Sequence, residues 1–288
     1  MEFRRLRSPE PVENLIAWKI LRSLPSNQFS YPSALSGYSR KDFSRNKNYS
    51  WGLGTASKHE VHKVLSSTAR SLPKEVEFSS STILVGRSEN GPIVLYNIGN
   101  NDEFTIKLNT RNRFWSQYAF QFAHEIGHII CGFKKGHEGN LWFEESVCEV
   151  FSLFALQSLA KKWKNSPPYP NWKNYAEEFK KYSLNRIENN SFAEQSQFLV
   201  WFKKNKDFLN EFPTDRSKNC RVASVLLPIF KSNSFSWSAC KYLNKGKNFE
   251  EKSFGRYLKD WMENCPLEGQ KQFVERIREL FGIQFPKQ

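Results

Sequence analysis

The chain has 288 residues, a formal net charge of +14 and 39 % hydrophobic side chains, among them 25 Phe and 9 Trp. That much apolar and aromatic surface excludes a chain disordered throughout and suits one large or two small cored domains. Its five cysteines form no C-x-x-C pair and read as reduced, mostly buried thiols of a cytoplasmic protein, not as a disulfide framework.

The basic start, Met1 to Arg7, runs into Pro9, Glu10, Pro11 and Glu13 instead of an apolar core, so no signal peptide is expected. Val12 to Leu24 is amphipathic and predicts a short helix. The stretch 25–50, rich in Ser, Asn, Tyr and Arg, predicts a loop or arm. Gly52-Leu53-Gly54 lacks the strand-then-helix context of a dinucleotide fingerprint. A helix over about 58–71 would carry His59 and His62 at i and i+3. That spacing suits a metal but has no third ligand in view, so it reads as a surface pair. Apolar or alternating runs at Thr82 to Val85, Pro92 to Tyr96 and Phe104 to Leu108, with turns in 86–91 and 99–102, predict a small antiparallel sheet.

The densest chemistry follows. Phe122-Ala123-His124-Glu125-Ile126-Gly127-His128-Ile129-Ile130 is H-E-x-x-H inside an apolar helix of about 114–131, stopped near Gly132. Histidines at i and i+4 share one helix face, where two imidazole nitrogens can take one Zn²⁺ and Glu125 can reach a water beside it. A hydrolytic zinc needs a third protein ligand and one open position. The next helix, about 141–162, offers Glu145 and Glu149, also at i and i+4. One of these can ligate while the other accepts the ring N–H of a zinc histidine. Glu144 competes with Glu145 but faces about 100° away, and position 148 is a cysteine rather than a second carboxylate. Cys131 and Cys148 are soft donors that also read as small buried residues. His137, within 132–139, reads as a solvated loop histidine.

Ser166-Pro167-Pro168-Tyr169-Pro170 then breaks the chain. Helical patterns follow over 174–187, 192–205, 220–230, 236–243, 249–264 and 267–281, interrupted at Pro213, Asn244-Lys245-Gly246 and Pro266. The longest apolar run, Val222 to Phe230, is too short to cross a membrane and contains Pro228.

Over about residues 100–160 these residues resemble the gluzincin metallopeptidases, which join H-E-x-x-H on one helix to a glutamate on the next. Asn140 to Glu149 is similar to the third-ligand segments of aminopeptidase N-type and thermolysin-type members. The resemblance implies an α+β fold. A zincin-like catalytic core (a small antiparallel sheet plus the active-site helices) would span 73–165. A basic N-terminal arm with helices would span 1–72, and a mostly helical C-terminal subdomain over 166–288 would wall the cleft. It implies Zn²⁺ held by His124, His128 and Glu145, with Glu125 as general base and Glu149 supporting a zinc histidine. It further implies that the open edge of Phe104 to Leu108 pairs with an extended peptide. The G-x-M-E-N segment of aminopeptidases is absent. Tyr169, Tyr175 and Tyr182 lie where an oxyanion-steadying group is sought, yet each also reads as a packing aromatic.

The activity so implied is hydrolysis of a peptide or protein substrate, and an acidic one would suit the basic surface. Two other readings stay open. One is a binding or regulatory protein on the same scaffold without turnover. The other is a nucleic-acid-associated protein with a structural metal, disfavoured by the dispersal of Lys and Arg among acidic residues.

Overall fold

The computed structural model describes residues 16–19, 54–76, 82–99, 103–134, 138–246 and 253–283. His137 and most of the N-terminal arm lie outside them. The architecture is α+β and mostly helical, with one small mixed sheet.

Strand β1 (Ile16–Lys19) is followed by helix α1 (Lys58–Ala69) and by strands β2 (Thr82–Arg87), β3 (Ile93–Leu95) and β4 (Phe104–Leu108). Helix α1 starts at a capping box: Ser57 Oγ accepts from the Glu60 N–H at 3.2 Å, and the Ser57 N–H donates to Glu60 Oε2 at 2.8 Å. The strand order is β1-β2-β4-β3. Three sequence expectations are corrected here. The segment expected to be helical around 12–24 contains a strand, antiparallel to β2 with Ile16 opposite Val85. The sheet is not purely antiparallel, because β2 and β4 run parallel, with Ile83 opposite Phe104. Finally, β4 has no open edge, since β2 flanks it on one side and antiparallel β3 on the other. Burial explains the order. Ile106 and Leu108 of β4 are fully enclosed, whereas β3 begins with the exposed Ile93, as suits a short edge strand.

Ile83, Val85, Val94, Ile106 and Leu108 turn inward. Helix α2 (Trp115–Ile130) packs against β3, β4 and α1. It ends in a glycine cap: Gly132 takes φ +108° and the Phe133 N–H reaches back to His128 O at 3.3 Å. Helix α3 (Leu141–Trp163) is buried along its length, and α2 lies directly across it. That crossing needs Gly127, where a Cβ would come within 2.9 Å of both the Cα and the Sγ of Cys148.

The remaining helices surround α3: α4 (Ala176–Glu188), α5 (Gln195–Glu211), α6 (Arg216–Ser232), α7 (Ser236–Ala239), α8 (Phe254–Asn264) and α9 (Glu268–Leu280). Trp142, Phe143, Phe198, Phe202, Phe254 and Phe281 interlock between them in tilted, stacked or edge-to-face pairs. Burying each such ring contributes about 1.5–3 kcal/mol. The indole N–H groups stay satisfied: Trp142 donates to Asn210 at 3.1 Å, Trp163 to Ser67 at 2.8 Å and Trp261 to Ala239 O at 2.9 Å. Among the described residues no helix is long and apolar enough to cross a membrane.

Candidate metal centre

The apolar stripe of α2 points its opposite face, His124 and His128, at α3. There Glu144, Glu145 and Glu149 meet it, because the glycine crossing holds the two helices close. Glu145 lies between the histidines. One of its oxygens is 3.1 Å from His124 Nε2 and the other 3.6 Å from His128 Nε2. The outward-facing ring nitrogens therefore converge on one carboxylate.

Both inward-facing nitrogens also meet carboxylates. His128 Nδ1 is 2.8 Å from Glu144 Oε1, and His124 Nδ1 is 3.6 Å from Glu149 Oε2. The support continues outward. Asn244 Nδ2 donates to Glu144 Oε2 at 2.8 Å, and Tyr257 O–H donates to Asn244 Oδ1 at 2.9 Å. On the other side Arg186 Nη1 donates to Glu149 Oε1 at 2.8 Å, its guanidinium lying 4.0 Å over the Phe120 ring. Glu144 is the residue whose part the sequence left hidden. It is neither solvated nor between the histidines, but enclosed and bonded to one of them. The hint was its place beside Glu145, turned one helical step away toward the buried side.

The electrostatics follow from these pairings. Burial alone would lower His124, but the hydrogen bonds and charge of Glu145 and Glu149 outweigh it and raise the ring to about 10. Burial likewise opposes protonation of His128, and the charge of Glu145 with the Glu144 bond raises it to about 9. Burial pushes up both Glu125 and Glu144. Burial also acts upward on Glu145, but the two histidines and, more distantly, Arg216 hold it below the usual carboxylate range. Glu125 is 2 % exposed, and the backbone of Val94 on edge strand β3 is among the groups that partly offset the upward push of burial on its carboxyl. Edge strand β3 thus packs on the helix that carries this carboxylate and the histidine pair.

Among the described residues one group of side chains could hold a cation. Donor atoms of His124, His128 and Cys148 lie within 4.8 Å of one another, a group able to hold a metal ion. Glu145 approaches the two histidines through different oxygens, Oε2 at 3.1 Å from His124 Nε2 and Oε1 at 3.6 Å from His128 Nε2. Cys148 is fully enclosed against Gly127, and burial with the neighbouring Cys131 pushes its thiol well up, toward the protonated and weakly ligating form. Cys131, Cys148, Cys220, Cys240 and Cys265 are all free and buried.

The remaining candidates sit elsewhere. His59 meets Tyr169 O–H at 3.1 Å and stacks on His62, with no third donor among the described residues. The Tyr175 hydroxyl accepts from the Ser116 N–H at 3.3 Å, and Tyr182 lies against Arg186 and Phe120. The tyrosine that borders the cleft is one the sequence did not single out. Tyr96, just past β3, packs on Phe133 with ring centroids 5.6 Å apart. Partial burial, then the charge of Glu144, push its hydroxyl above the ordinary tyrosine value, so it remains a neutral O–H donor.

Comparison of the chain with protein-family models, with curated proteins and with solved structures gave no match.

Proposed function

We propose that the protein is a zinc metallopeptidase of gluzincin type, with a zincin-like arrangement of the sheet, α2 and α3. The observation that carries this reading is the double pairing of the histidines. Glu145 spans both Nε2 atoms while separate carboxylates hold both Nδ1 atoms, a pattern suited to fixing two imidazoles for a cation. Two imidazoles and a carboxylate suit Zn²⁺. When bound, the ion supplies Lewis acidity and lowers the pKa of water toward about 7.

The chain's own residues do the rest. His124, His128 and Glu145 hold the ion. Glu125 takes the proton of the attacking water and passes it to the leaving amine nitrogen. Its buried position favours the protonated state after the first transfer. Tyr96 offers its O–H to the developing oxyanion. Edge strand β3, not β4, offers backbone groups to an extended substrate.

The test is metal content and turnover measured together. Purified protein should carry about one zinc per chain, and Glu145→Ala should lose it. Glu125→Gln should keep the zinc and lose at least about 100-fold in hydrolysis of a peptide library. Zinc retained in full by Glu145→Ala, with loss in Cys148→Ala, would move the third ligand to Cys148. Unchanged cleavage by Glu125→Gln would remove the general-base assignment.

A further inference from the structure

The cleft has a direction, and one of its ends carries an unused charge. Val94 stands opposite Ile106 in the β3–β4 ladder, and β3 packs against α2, the helix that carries Glu125 and both histidines. Among the described residues β3 is the edge strand beside the candidate metal centre. A peptide added there as an antiparallel strand runs opposite to β3. Its N-terminal half lies beside Leu95 and Tyr96. Its C-terminal half, the leaving-group side, lies beside Ile93 and the turn at Gly91.

Arg216 waits at that second end. It is the first residue of α6, and its Nη2 is the nearest atom to where a Cβ on Gly91 would sit, at 3.8 Å. Its side chain is exposed and makes no ion pair with a described carboxylate. The neighbouring Asp215 is otherwise engaged, capping α6 by accepting from the Lys218 N–H at 2.8 Å. Lys218 itself lies over the Phe208 ring at 4.4 Å. The positive charge of Arg216 is also among the influences that hold Glu145 below the usual carboxylate range. Beside the other end of β3, Tyr96, Phe133 and Phe104 form an aromatic cluster.

We infer that Arg216 is a specificity-determining residue that binds a carboxylate of the substrate on the leaving-group side of the scissile bond. The guanidinium fork matches a carboxylate with two parallel N–H donors, which a lysine could not reproduce. The carboxylate belongs to an Asp or Glu side chain, or to a free C-terminus, within the first residues after the cut. This assignment rests on the metallopeptidase reading, supplies that reading with a substrate class, and agrees in sign with a chain of net charge +14.

The test uses the zinc-loaded full chain and three peptide hydroxamates. Each places its zinc-binding group at the metal and extends to the leaving-group side. One has a glutamate and an amidated end, one a glutamine and a free carboxylate end, and one a glutamine and an amidated end. Calorimetry should show at least one carboxylate probe binding about tenfold tighter than the neutral one. Which of the two does so identifies the source of the carboxylate. In Arg216→Ala, at unchanged melting temperature, that preference should fall to about one, and in Arg216→Glu it should reverse. Tight and equal binding of all three probes, unaltered in Arg216→Ala, overturns the Arg216 assignment and leaves the peptidase reading standing. Failure of all three to bind a chain carrying one zinc overturns the peptidase reading and this inference with it.

Discussion

The two histidines are held from behind in different ways. The His128 support, Glu144, is fully enclosed and backed by neutral donors, Asn244 and then Tyr257. The His124 support, Glu149, is backed by the cation Arg186, whose side chain is 26 % exposed. On the first side the only positive partner of the carboxylate among the described residues is the histidine itself. On the second, the carboxylate is balanced whether or not the histidine is charged. One motif, with its histidines a single helical turn apart, therefore has a sealed half and a half open to water. Damage to the sealed half should cost more, because a buried group without its partner cannot recover solvation.

The largest effect expected is on stability. Glu144→Ala should lower it by about 3–5 kcal/mol, the usual cost of breaking an enclosed pair. Glu149→Ala should cost about 1–2 kcal/mol, since Arg186 can turn to water. Denaturant unfolding of both metal-free variants measures the difference, and equal losses would break the comparison. Next comes metal affinity. Glu144→Gln and Glu149→Gln should each weaken zinc binding about 10–100-fold, with Glu144→Gln the worse of the two, in competition with a chelator. An order reversed there would put the stronger orienting role on Glu149.

Gly127→Ala should destabilise by about 1–3 kcal/mol, as its methyl meets the backbone of Cys148 and pushes the two helices apart. Because both halves hang on that crossing, zinc affinity should fall with it. A stable Gly127→Ala with native affinity would show that the crossing tolerates expansion. A smaller effect belongs to Tyr257→Phe, about 1 kcal/mol, confined to the sealed half and leaving His124 unaffected in NMR.

The response to pH sharpens the comparison without mutation. Both histidines sit above the 6.5 of a free imidazole, at about 10 for His124 and about 9 for His128. In metal-free protein their contribution is complete below pH about 6.5 and is lost as pH rises through about 9 to 10. Melting temperature should therefore fall between pH 7 and 10, with His128 titrating first. A melting temperature constant over that range would contradict both pairings.

Much of the site was legible in the chain itself. His124, Glu125 and His128 needed only helical spacing, and Glu145 with Glu149 needed only the same spacing on the next apolar helix. Glycine and proline punctuation foretold the limits of α2, α3 and most C-terminal helices to within a few residues. What escaped was whatever depends on partners distant in the chain. Glu144 looked like a failed alternative to Glu145, because only the crossing at Gly127 shows that its side faces His128. Asn244 and Tyr257 lie about a hundred residues further on, and no local pattern joins them to a histidine. The sheet escaped for a related reason. Alternation reports which residues turn inward, and it carries no information on which strand lies beside which, so β4 was expected at the edge that β3 occupies. Tyr96 and Arg216 likewise acquire meaning only when β3 is placed over α2.

By itself, then, the sequence determined the donor types and their spacing along two helices, because side-chain direction on a helix follows from residue number alone. Tertiary structure alone decided which carboxylate backs which histidine, which strand edge faces the cleft and which cation stands at its end. Those choices depend on close approach between segments far apart in the chain, and close approach is set by packing.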